Sequence, residues 1–105
     1  MIELGDHNFD QCIQEGFWVV DFWSPSCAPC RVVSPILADL ALELKDVHFG
    51  AVNATTELKT RFSHQVNGLP TVMVFKDGRP VDLLLGAHPA RLYRRRITDA
   101  WATYG

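Results

Sequence analysis

Cys27 and Cys30, in the stretch "WSPSCAPCR", enclose an Ala-Pro pair and follow the apolar run "FWVVDF". Three readings fit such a pair: dithiol-disulfide exchange, a share in a metal site, or two ordinary buried thiols. For exchange, cysteines at i and i+3 at a helix start lie within bridging reach. Backbone N–H groups and the positive helix end there stabilise a thiolate on the first of them. Pro29 stiffens the turn and gives up an N–H that the first helical turn does not use. A thiolate at Cys27 can attack a substrate disulfide, and Cys30, one turn deeper, resolves the mixed disulfide. A CxxC that follows a strand and opens a helix is a redox signature. Zinc wants four ligands, usually including a second closely spaced pair. The only other thiol is Cys12, and His7, His48, His64 and His88 are scattered without a HxxxH or CxxC partner. No metal is expected.

Asp21 lies inside the apolar run, where burial of a carboxylate is costly and raises its pKa. A proton acceptor of this kind can serve a nearby thiol as general base. Alternation along a strand puts Asp21 and Trp23 on one side, close to the strand end where the cysteines begin. The plainer alternative is an aspartate facing solvent from an edge strand. Pro70, in "NGLPTVMVF", precedes a strand, a place where a missing N–H does no harm. By itself it reads as a simple strand opener. Two roles are open to Ser26: its hydroxyl donates to the Cys27 thiolate, or it caps the following helix.

These residues need a scaffold, and the periodicities supply one. "HNFDQCIQ" predicts a short first helix, with Asn8 as cap, Gln11 completing a capping box, and Gly16 after its end. Phe17 to Trp23, apolar on both faces, predicts a central strand covered on both sides. From Ala28 to Leu44, Val33, Ile36, Leu37, Leu40, Ala41 and Leu44 form one helical stripe, with Pro35 a kink inside it. Val47 to Asn53 predicts a second buried strand. Thr55 or Thr56 is positioned to cap a short helix that turns Leu58 and Phe62 inward. Thr71 to Phe75 and Val81 to Gly86 flank "KDGRP" as a hairpin. A last helix starts at His88-Pro89, with Tyr93, Ile97, Ala100, Trp101 and Tyr104 facing in. Arg94, Arg95 and Arg96 point about 100° apart around it, so they form no single anion patch. Cys12 sits at core spacing after Phe9, as a buried inert thiol. The order predicts one α/β domain over residues 1–105, a mixed sheet with helices on both faces.

The totals are consistent with this. A chain of 105 residues with 48% apolar and 21% charged residues is globular. A formal net charge of −2 gives no footprint for nucleic acid. No apolar run approaches the roughly 20 residues of a membrane span. "MIELGDHNFD" lacks the basic and apolar regions of a secretory signal. Three cysteines suit a reducing compartment, the cytoplasm, better than a secreted disulfide framework.

Taken together, "VDFWSPSCAPC" resembles the thioredoxin family's VDFWAxWCGPC, and "GLPTVMVFKDG" resembles its GIPTLLLFKNG. Gly86 falls where that family has a glycine after the last strand, and Pro35 where it kinks the active-site helix. The likeness spans essentially the whole chain, with a shortened first helix and preceding strand. It implies the thioredoxin fold and a thiol-disulfide oxidoreductase that reduces protein disulfides through a Cys27–Cys30 couple, with no other cofactor. By position, Cys27 is then the exposed nucleophile, Cys30 the buried resolving thiol and Asp21 the proton acceptor. Pro70 is a cis-proline facing the disulfide. Trp23, Ser26, Ala28, Pro29, Gly68, Leu69 and Gly86 belong to the substrate surface. The implied partners are disulfide-containing proteins and a flavin- and NADPH-dependent thioredoxin reductase, acting on a monomer. Three residues depart from the pattern: Ser26 for a second tryptophan, Ala28 for the glycine of CGPC, and Ala51 for a lysine near the aspartate. The alternative is a binding module or redox sensor on the same fold; a pure binding module needs none of Cys27, Cys30, Asp21 or Pro70.

Overall fold

Residues 1–105 are all described by the computed structural model. Five strands, β1 (Ile2–Leu4), β2 (Phe17–Trp23), β3 (His48–Asn53), β4 (Thr71–Lys76) and β5 (Arg79–Leu85), form one sheet in the order β1-β3-β2-β4-β5. The first three in that order run parallel, and β4 and β5 join antiparallel. Four helices, α1 (Phe9–Ile13), α2 (Cys30–Glu43), α3 (Leu58–Ser63) and α4 (Ala90–Tyr104), complete the mixed α/β architecture expected from the sequence. No helix is long and apolar enough to cross a membrane.

β2 is central because both its faces are apolar, which suits a strand covered on both sides. Phe17 and Val19 join one core with Val33, Leu37 and Leu40 of α2 and Tyr93, Ile97 and Ala100 of α4. Trp18, Val20 and Phe22 join a second core with Phe9 and Ile13 of α1. Asp21 follows Phe17 and Val19 on the α2 and α4 side, not on an edge strand, and is fully buried. The β4–β5 hairpin turns at Asp77 (φ 49°) and Gly78 (φ 83°). Two consecutive positive φ values make the tight turn that matches strand twist, and the Asp-Gly pair suits it.

Several local expectations give way to longer-range contacts. β1, only three residues long, is the preceding strand that the residue pattern did not reveal. Asn8 does not cap α1: its Oδ1 accepts from the Gly5 N–H at 2.8 Å and its Nδ2 donates to the Glu3 carbonyl at 3.2 Å. Neither Thr55 nor Thr56 caps α3. Asp6 does so from across the sequence, accepting from the Thr60 N–H at 2.8 Å and the Thr60 hydroxyl at 2.7 Å. That contact orients α3 so that Thr60 is buried, while Leu58 and Phe62 are 46% and 62% exposed. α2 begins at Cys30 rather than Ala28, because residues 28–29 form the turn that leads in. β5 starts earlier than expected, at Arg79, and ends before Gly86. The last turn of α4 is solvent-facing, including Trp101 and Tyr104, although Trp101 still meets Phe17 edge-on at 5.3 Å.

Candidate functional site

β2 delivers the chain to a short loop, Ser24 to Pro29, and α2 takes it away from Cys30. The loop is a tight turn: the Cys27 N–H donates to the Ser24 carbonyl at 3.2 Å. Cys27 and Cys30 form a disulfide with Cα atoms 5.3 Å apart. Their surroundings differ. Cys27 is half-buried at the surface and Cys30 is buried. The Cys30 N–H, at the start of the 14-residue α2, donates to Cys27 Sγ at 3.2 Å. A helix N-terminus and an N–H aimed at one sulfur favour negative charge there, so the Cys27 thiol is the one suited to ionise.

Ser26 does not cap α2, whose start carries no side-chain cap bond, and in the disulfide there is no Cys27 thiolate for its hydroxyl to meet. Its hydroxyl lies 3.1 Å from the Ser24 hydroxyl, which also accepts from Thr55 Oγ1 at 3.2 Å. The turn at residues 24–27 brings the two serines together. Ala28 and Pro29, between the two cysteines, are exposed, and Trp23 is half-buried.

The second wall comes from β4. The register pairs Thr71 with Phe22, so Pro70 lies at the same sheet edge as Trp23 and the cysteine loop. The Leu69–Pro70 bond is cis. The Pro70 carbonyl accepts from the Gly86 N–H at 2.8 Å, and the Gly86 carbonyl accepts from the Tyr93 hydroxyl at 3.0 Å. The Thr71 hydroxyl donates to the Gly68 carbonyl at 2.6 Å. Gly68, Leu69, Pro70 and Gly86 therefore make one hydrogen-bonded ledge, tied by Tyr93 to α4. Gly86 adopts φ 83°, a left-handed conformation that glycine takes without a Cβ clash.

Asp21 is buried on β2, two residues before Trp23, with its carboxyl against Ser34 of α2. Ala51 and Val72 flank it on the neighbouring strands, so neither strand offers a charge. The Ser34 hydroxyl donates to its Oδ2 at 2.6 Å, and Oδ1 has no partner. Burial pushes its pKa from 3.8 up to about 6, with the Ser34 bond pulling the other way. Ser34 was not legible as a site residue; the available signal was a polar residue four positions after Cys30, on the same helical face. Tyr93 was read only as core.

Other candidates fall away from this cluster. Cys12 is a half-buried free thiol packed against the second core. Each arginine of the triplet meets its own acid: Arg94 with Glu43, Arg95 with Asp99 at 3.8 Å, and Arg96 with Asp82 at 2.5 Å. No cluster of three or more His, Cys, Asp or Glu side chains is arranged to hold a metal ion.

Comparison with known proteins agrees with this geometry. A family model described as Thioredoxin matches residues 1–98. A thioredoxin of Chlamydia pneumoniae is 39% identical over 83 residues, covering 79% of this chain and 81% of the relative. A thioredoxin of Staphylococcus haemolyticus is 37% identical over 92 residues, covering 85% and 86%. One of Staphylococcus saprophyticus is 36% identical over 90 residues with the same coverage. With the family matched along nearly its whole length and the disulfide at the strand–helix junction, the chain belongs to the thioredoxin family and is a thiol-disulfide oxidoreductase.

Proposed function

We propose that the protein runs as a reductase of protein disulfides. The observation that carries this reading is the asymmetry of the pair: a surface sulfur at a helix N-terminus and a buried one behind it. In this reading Cys27 attacks the substrate disulfide and Cys30 attacks Cys27 in the mixed disulfide. Asp21 takes the Cys30 proton, which its pKa of about 6 suits near neutral pH. Pro70 and the ledge of Gly68, Leu69 and Gly86 hold the substrate backbone, and Trp23, Ser26, Ala28 and Pro29 form the opposite lip. The couple itself is the only redox group required. A flavin- and NADPH-dependent thioredoxin reductase is the electron donor, the acting species is the monomer, and the compartment is the cytoplasm, where Cys12 stays a free thiol.

The direction of flow depends on potential. Equilibration of the Cys27–Cys30 couple against a glutathione buffer gives, on this reading, a value more negative than a cytosolic poise of about −240 mV. A value near that of a strong oxidant, about −120 mV, overturns the assignment as a reductase. Turnover with NADPH and such a reductase checks the proposed donor.

A further inference from the structure

Cys30 and Ser34 stand one turn apart on α2, and side chains at i and i+4 share a helix face. Both line an open pocket of about 370 Å³, together with Trp23 and Arg31. Asp21 does not line it and is fully buried. Its one hydrogen-bond partner is the Ser34 hydroxyl, at 2.6 Å from Oδ2. The groups around this carboxylate are few. Ala51 of β3 and Val72 of β4 are uncharged. Tyr93 of α4 has its phenol pKa raised by burial first and also by the Asp21 charge, so it faces Asp21 as a neutral group. Arg31 donates to the Pro25 carbonyl at 3.2 Å and stays at the exposed rim of the pocket. One hydroxyl therefore joins the buried carboxylate to the pocket that Cys30 lines.

We propose that Ser34 is a positioning residue for the exchange reaction: it holds Asp21 towards α2 and passes the Cys30 proton to it. The inference rests on the reading of Cys30 as resolving thiol and Asp21 as proton acceptor. In the mixed disulfide, the Cys30 S–H proton moves to the Ser34 oxygen while the Ser34 proton moves to Asp21 Oδ2. Cys30 Sγ attacks Cys27 Sγ, the bond from Cys27 to the substrate sulfur breaks, and its electron pair leaves on that sulfur. The products are the Cys27–Cys30 disulfide, a substrate thiolate and protonated Asp21. Atoms, protons and electrons balance with no further reactant.

The test follows the resolving step itself, in a Cys12→Ala background. Reduced protein mixed with excess dithiobis-nitrobenzoate releases one coloured thiolate on attack by Cys27 and a second on resolution by Cys30. The second phase is measured from about pH 4.5 to about pH 8.5, across the range where a raised carboxyl titrates. Ser34→Ala removes a hydrogen bond to the charged form, so its acid limb moves up by about one to two units. At neutral pH the second phase then slows about two- to tenfold, and the first phase is unchanged. Ser34→Thr, which keeps the hydroxyl, retains the original limb. If Ser34→Ala leaves the limb in place while Asp21→Asn abolishes it, Ser34 only fills space and the inference is wrong. If the limb persists in Asp21→Asn, the role of Asp21 fails as well and takes the inference with it.

Discussion

Asp21 bears a thermodynamic load with a definite sign. Its folded pKa of about 6 lies above the ordinary carboxyl value of 3.8, so the ionised form opposes folding. Below the lower value the carboxyl is protonated in both states and imposes nothing. The cost grows between the two values and levels off above the upper one, at on the order of 3 kcal/mol for a shift of this size. Asp21→Asn is therefore expected to be about 1–3 kcal/mol more stable than the parent at pH 8 by denaturant unfolding, with the gain mostly lost by about pH 4 and gone by about pH 3. A difference that is constant across this range would mean that burial does not act through ionisation. If Asp21 is the proton acceptor proposed above, the same variant is expected to exchange thiols more slowly. That combination, more stable and less able, is what a buried proton acceptor at a working site entails. At this scale much was legible in the letters. A carboxylate in an apolar run and a CxxC after it announce themselves by type and spacing. Ser34 did not, because its meaning lies in a contact with Asp21, a residue on another element. The Ser24–Ser26 contact was hidden for a related reason: the turn that makes it is a backbone fact that residue types do not state.

The elements show where local pattern suffices and where it fails. β2 and the body of α2 carry long apolar stripes and appear where the periodicity put them, with only the first turn of α2 displaced. α3 is only six residues long, too short to be stable by propensity, and its capping by Asp6 comes from outside the helix. Thr55 and Thr56 were the nearer cap residues, but Thr55 is engaged with Ser24 and Asn53, and Thr56 with Asn53 and Glu57. The Asp6 carboxyl is held below its usual pKa, first by the Thr60 hydroxyl and then by the Thr60 N–H. A lowered folded pKa contributes stability above the unfolded value and loses it as pH falls. Asp6→Ala should thus lower the melting temperature at neutral pH, and the gap should narrow as the parent's Asp6 takes up its proton in acid. The accompanying signature is faster amide exchange at Lys59 and Thr60, the two N–H groups that Asp6 accepts from. Unchanged exchange there would show that α3 is held by its packing alone.

Across the whole molecule, the sheet brings sequence-distant pieces to one edge. The cysteine loop follows β2, the cis-proline ledge precedes β4, and Gly86 follows β5. Hydrogen bonds from Gly86 to Pro70 and from Tyr93 to Gly86 lock that edge to α4. The two cores on either face of β2 hold Asp21 in place without providing it a counter-charge. Fold class was readable because helix and strand patterns alternate and then end in a hairpin. The ledge was readable only through likeness to a family, since a proline before a strand has a plain explanation of its own. The central claim is the division of labour between the two sulfurs, and trapping the mixed disulfide tests it most directly. Cys30→Ser and Cys27→Ser variants are each reduced, mixed with a disulfide-bonded protein, quenched in acid, and mapped by mass spectrometry. The account predicts that Cys30→Ser accumulates a covalent adduct through Cys27 and that Cys27→Ser accumulates none. An adduct through Cys30 in the Cys27→Ser variant at a comparable rate, or one through Cys12 in either, would contradict it.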